Sequence, residues 1–189
     1  MTELNLDRLQ KWIDDGRIDP TKQITPRELY LSGIIGRSFK DGIKLLARGK
    51  EDLKTPIDIT VSRASAAAIE AIEKVGGRII TRYYTKEALK RLVKGKSLHT
   101  NQPLPTGPEH VESVLAQVRS ADKHYYRLPD PTSREDIEYY RDPAHRGYLS
   151  HTLQKGESPS LYFKVPSTSM AFKAAKKVKK AVELEEKLF

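Results

Sequence analysis

Arg37, Lys40 and Lys44 flank Gly36 and Gly42, and Arg48 stands directly before Gly49. Cations among glycines suit phosphate. Glycine lets the backbone come close to an oxyanion, lysine supplies a point charge, and arginine supplies a forked pair of donors. The same residues would serve equally as a basic loop in water. A second group of cations, Lys173, Lys176, Lys177, Lys179 and Lys180, precedes Glu183, Glu185 and Glu186 near the end of the chain. In a helix this order opposes the macrodipole, which favours anions at the N-terminus and cations at the C-terminus. A phosphate surface against the first half of the helix would account for it. So would a solvated helix, or one lying on a membrane surface, the last weakened by an apolar face made of alanines.

Chemistry of other kinds finds few candidates. Gly95-Lys96-Ser97 resembles the end of a phosphate loop, but the pattern needs a further glycine where Lys90 stands. The five histidines, His99, His110, His124, His145 and His151, show no metal-ligand spacing, and there is no cysteine to help. No Gly-x-Ser-x-Gly nucleophile elbow occurs, and the carboxylates mostly face lysines at helical spacing. The expectation is a protein that is not an enzyme and has no metal, no cofactor and no small-molecule substrate. His145 and His151, with Arg146 between them, could contact RNA or a partner, or lie in a solvated loop. Tyr83-Tyr84, Tyr125-Tyr126 and Tyr139-Tyr140 each stand beside or near an arginine. Such rings can stack on unpaired bases; anchoring a loop onto its own domain or a neighbour is the commoner use.

Composition limits what must hold these groups. The chain has 189 residues, a net charge of +9, 38% hydrophobic residues and a mean hydropathy of -0.60. One compact core with long exposed segments fits these values better than one uniform core. The charge favours a polyanionic partner, nucleic acid before a membrane surface. It is uneven: 15 basic residues stand against 12 acidic ones before Lys86, and 19 against 13 from there on. No apolar run approaches the ~18 residues of a membrane span, so no membrane insertion is expected. The opening MTELNLDRLQKW is neither a signal nor a transit peptide.

The elements follow from local signals. Asn5 can cap a short helix with Leu6, Leu9, Trp12 and Ile13 on one face. Thr25-Pro26-Arg27-Glu28 is a capping box with proline in the first turn, opening a helix that Gly33 stops. Ile43–Ala47, Ile57–Val61 and Arg78–Ile80 are short strand candidates. Ser65 can cap a helix to Val75, ended by Gly76 and Gly77. Beyond Tyr84 the texture loosens. Helices are expected from Thr85 to Val93, after Thr106 with a face of Val111, Val114, Leu115 and Val118, from Ser133 to Tyr140, and after Ser169. Leu161–Val165 is a strand candidate. Residues 142–160 read as a long loop, which in a compact domain points to function or a partner.

Ser32-Gly33-Ile34-Ile35, Lys40-Asp41-Gly42-Ile43-Lys44-Leu45-Leu46-Ala47-Arg48-Gly49, Ile57-x-Ile59 and Ala64-Ser65-x-x-Ala68-x-x-x-Ile72-x-x-x-Gly76-Gly77 together resemble large-subunit ribosomal protein fifteen, the bacterial-type L-fifteen family. The likeness covers about residues 4–82. Lys50 and Glu51 before Leu53 suggest a slightly longer loop than the family pattern. The family's N-terminal Gly/Arg-rich arm, which threads into ribosomal RNA, is absent from this sequence. RDPAHRGYLSH and SPSLYFKVP are similar to the extensions of fungal mitochondrial members. The resemblance implies an α/β fold: a small domain of irregular β-β-α turns at 3–84, followed by a mostly helical and irregular mitochondrial-type extension at 85–189 that gains order when docked.

It also implies a structural constituent of the large subunit of the mitochondrial ribosome, located in the matrix. Its partners would be large-subunit ribosomal RNA and neighbouring ribosomal proteins. The alternative is an RNA-binding assembly or regulatory factor that is not a permanent subunit. Candidate RNA contacts are Arg37, Lys40, Lys44, Arg48 and Arg63 in the domain. Charge clustering adds Lys164, Lys173, Lys176, Lys177 and Lys180 in the extension.

Overall fold

The computed structural model describes residues 1–36, 42–96, 107–121, 128–154 and 156–163, apart from the side chains of 117, 118, 120 and 121. In chain order the elements are strand β1 (Thr2–Asn5), helices α1 (Leu6–Asp14) and α2 (Pro26–Leu31), strands β2 (Ile43–Leu46), β3 (Asp58–Val61) and β4 (Arg63–Ala64), helix α3 (Ala66–Lys74), strand β5 (Arg78–Thr81), and helices α4 (Lys86–Val93), α5 (Val111–Ala121) and α6 (Arg134–Arg141). The α/β class agrees with the expectation. β1 and β4, absent from the sequence reading, become strands by pairing on either side of β2.

The strands form two small sheets, β1-β2-β4 and β3-β5, and every pairing is parallel. Parallel neighbours need a crossover connection, and α3 supplies one between β3 and β5. Single bridges widen the second sheet on both sides, Ile24 against Ile59 and Gly147 against Thr81. Leu6 and Leu9 of α1, Leu29 of α2, Leu45 of β2, Ile59 and Val61 of β3 and Ala68 and Ile72 of α3 share one core.

Local chemistry fixes the helix ends. The Thr25–Glu28 capping box closes reciprocally, with Arg27 N–H donating to Thr25 Oγ1 at 3.3 Å and Thr25 N–H to Glu28 Oε2 at 3.0 Å. Thr85 Oγ1 accepts from Ala88 N–H at the start of α4. That helix joins Tyr84 and Leu128 in a second apolar cluster through Ala88, Leu89 and Leu92. Val111 and Leu115 of α5 are exposed, so these two members of the expected apolar face are not buried against the rest of the described chain.

Gly49 makes the turn that carries Arg48. It has φ +75, and a Cβ there would meet Asp7, whose Cα would lie 2.7 Å away. Asp7 N–H donates to Arg48 O at 3.0 Å across this contact. Gly49→Ala is therefore expected to lower stability by about 1–3 kcal/mol through overpacking and a strained backbone, as urea unfolding would measure.

Candidate nucleic-acid interface

The three sequence-predicted cations that lie among the described residues gather around the first sheet. Parallel register aligns Glu3 of β1 with Lys44 of β2, and Lys44 with Arg63 of β4. Aligned residues share a face of the sheet, so an alternating row of charge runs across it. Ile43 and Leu45 are buried while Lys44 is exposed, as the two-residue period of a strand requires. Lys44 makes no ion pair among the described residues.

Arg48 Nε lies 2.9 Å from Asp7 Oδ2, with the arginine side chain 73% exposed. Exposed pairs of this kind contribute at most about 1 kcal/mol, so a phosphate could replace the carboxylate at little cost. Arg37, Lys40, Lys164, Lys173, Lys176, Lys177 and Lys180 lie outside the described residues.

Arg63 has a different environment. Its Nη2 donates to Asp136 Oδ1 at 2.7 Å, and its guanidinium lies 4.7 Å from the centre of the Tyr139 ring. Burial opposes its charge, but the Asp136 hydrogen bond and the fields of Tyr140 and Asp136 leave its pKa above the ordinary arginine value. The partner comes from α6.

The contact is one of several along a seam. Tyr140 donates its hydroxyl to Ser62 O at 2.8 Å. Tyr139 Oη pairs with both the N–H and the carbonyl of Ala64, at 3.2 and 3.3 Å. Tyr139 and Tyr140 thus act as anchors. Thr81 N–H donates to Arg146 O at 2.9 Å, and Tyr148 N–H returns a bond to Thr81 O at 3.0 Å. Arg146 holds Glu73 with two hydrogen bonds, at 2.5 and 2.8 Å. That interaction depresses the Glu73 pKa against a smaller opposing effect of burial.

The expected long loop at 142–160 is therefore partly ordered, with 3-10 turns at Pro143–His145 and Ser150–Thr152. Its described partners are Thr81 of β5, Glu73 of α3 and Tyr140 of α6. Leu161–Phe163, expected to start a strand, is not one. Leu161 N–H donates to Glu138 Oε1 at 2.9 Å, and Phe163 N–H to Ser160 Oγ at 3.1 Å, so side chains take the bonds a strand neighbour would.

Behind the seam, Arg82 is 3% exposed, and neither its Nε nor its Nη1 has a hydrogen-bond partner among the described residues. Burial lowers its pKa against the fields of Tyr84, Tyr148 and Asp130. Its guanidinium lies 4.8 Å from the centre of the Tyr148 ring, and Tyr148 donates to Asp130 Oδ1 at 2.6 Å.

Sequence reasoning also missed cations on α1 and the loop after it. Arg8 and Arg17 lie 5.1 and 5.3 Å from the centre of the Trp12 ring, and Trp12 Nε1 donates to Ser32 O at 3.1 Å. The four-residue spacing of Arg8 and Trp12 on a helix was the available signal. No group of three or more metal-ligating side chains occurs among the described residues. No described helix is long and apolar enough to cross a membrane.

Residues 3–80 match the family described as ribosomal proteins 50S-L15, 50S-L18e and 60S-L27a. Large ribosomal subunit protein uL15m of Neurospora crassa is 75% identical over 167 residues, 88% of this chain and 54% of that protein. Large ribosomal subunit protein uL15m of Schizosaccharomyces pombe is 36% identical over 148 residues, 78% of this chain and 48% of that protein. The match to large ribosomal subunit protein uL15 of Maricaulis maris is 46% identical over 77 residues, 41% of this chain and 46% of that protein. The chain spans about half the length of these relatives.

Proposed function

We propose that the protein, whose residues 3–80 match the family of ribosomal proteins 50S-L15, 50S-L18e and 60S-L27a, is a member of that family and a structural constituent of the large subunit of the mitochondrial ribosome. The observation that carries the mitochondrial assignment is where the likenesses end. The Maricaulis maris match covers 41% of the chain, whereas the match to Neurospora crassa uL15m covers 88%. The extension is thus shared with a protein of the mitochondrial type. The role is architectural: cations neutralise phosphates that RNA compaction forces together, and a protein face ties neighbouring segments.

Within this reading Lys44 and Arg48 present charge outward from the first sheet, and Arg37 and Lys40 are RNA contacts by their place in the sequence alone. Lys164, Lys173, Lys176, Lys177 and Lys180 carry the same role in the extension. Arg63 is given to the seam first and to RNA second, because Asp136 holds its Nη2.

RNA affinity tests the assignment of the sheet. The Lys44→Glu/Arg48→Glu double variant of the full chain should bind large-subunit mitochondrial ribosomal RNA at least about tenfold more weakly at moderate salt. The slope of log affinity against log salt should fall by about two. An unchanged slope would remove these two residues from the interface.

A further inference from the structure

A cleft of about 560 Å³ opens where the extension meets β5. One wall is β5. Its burial alternates, with Ile79 and Thr81 inward, so Arg78 and Ile80 share the outer face and line the cleft. The opposite wall is the turn carrying Arg146, Tyr148 and His151.

Arg146 is the one non-glycine residue with positive φ among the described residues, at φ 54 and ψ 37. Side-chain-bearing residues take this conformation rarely, and it concentrates at binding sites. Here it aims the guanidinium at Glu73, which neutralises the one carboxylate lining the cleft among the described residues. Arg78 is left as an exposed cation on that wall. His151 Nδ1 lies 3.0 Å from Tyr148 O. A carbonyl can only accept, so Nδ1 carries the proton, and Nε2 of the neutral ring is an acceptor.

A cation, an apolar plate at Ile80 and an acceptor nitrogen along one open cleft match the three parts of a ribonucleotide: phosphate, base and 2′-hydroxyl. The volume falls within the roughly 300–1,000 Å³ of small-ligand sites. We propose that this cleft binds one unpaired ribonucleotide of an RNA strand, its phosphate on Arg78, its base against Ile80 and its 2′-hydroxyl donating to His151 Nε2. The site rests on the ribosomal reading and locates an RNA contact where the domain and the extension jointly build it. Proteins read single-stranded RNA by taking up splayed bases, and the 2′-hydroxyl lets them tell RNA from DNA. A protein neighbour would make less use of an acceptor nitrogen on the wall opposite the cation.

Fluorescence anisotropy of the full chain tests it, with a labelled single-stranded RNA roughly twelve nucleotides long and a DNA of the same sequence. Arg78 and His151 are both exposed, and thermal melts would verify that Arg78→Ala/His151→Ala keeps the fold. The expected result is RNA binding weakened about tenfold or more, with the preference for RNA over DNA lost, while Lys94→Ala changes affinity less than about twofold. Three results would overturn the site: unchanged RNA binding, an equal modest loss in both variants, or a loss confined to association with a protein neighbour. If the cleft variant binds normally while Lys44→Glu/Arg48→Glu does not, the cleft fails and the ribosomal reading stands. If the wild-type chain binds no RNA, both fail.

Discussion

Replacing Tyr140 by alanine is expected to cost about 3–5 kcal/mol and to open residues 128–163 to proteolysis. Tyr140 is 1% exposed and is the largest of the fully buried side chains among the described residues. Its ring meets Tyr139 edge-on at 5.1 Å and Tyr83 at 5.9 Å, and lies tilted to Tyr148 at 5.9 Å. Its hydroxyl reaches Ser62 O, between β3 and β4. Truncation empties the centre of the seam and strips Ser62 of that donor. Tyr140→Phe keeps the ring and loses only the hydrogen bond, for a smaller cost of about 1–2 kcal/mol. Urea unfolding with a proteolysis time course would measure both. Equal stability of Tyr140→Ala and wild type would mean that α6 is not held as described.

Gly147→Ala is the second large effect, and it acts through backbone. A Cβ at Gly147 would collide with the Tyr140 carbonyl and lie 2.7 Å from Tyr140 Cα. No side chain can rotate away to relieve a contact with main chain. Gly147 also sits between the two hydrogen bonds that join this segment to β5, Thr81 N–H to Arg146 O and Tyr148 N–H to Thr81 O. Relief requires the turn to move, which breaks those bonds and the Leu149 N–H bond to Tyr140 O at 3.0 Å. A loss of more than about 3 kcal/mol follows. Hydrogen exchange should show the Tyr148 amide losing protection first. Unchanged protection there would contradict the docking.

These two variants concern contacts that the sequence did not reveal, and the reason is distance along the chain. The Thr25–Glu28 box, the helix stop at Gly33 and the strands β2, β3 and β5 were legible because their signals are local. β1 carries one buried leucine among polar residues and becomes a strand only against β2. Arg63 looked like a free cation because Asp136 stands 73 residues away. Residues 142–152 carry few regular signals, since their order comes from β5 and α3. Lys44 was legible as a candidate RNA contact from its place beside Gly42, while its exposure follows from the two-residue period of β2. The cleft at Arg78 and His151 had no signature in either segment alone.

Sedimentation of mitochondrial large ribosomal subunits tests the central claim most directly. After a high-salt wash and gradient centrifugation, the chain should remain with mature large subunits at one copy per particle, as quantitative mass spectrometry would report. Release of the chain to the top of the gradient, or its confinement to immature particles, would contradict its place as a permanent constituent.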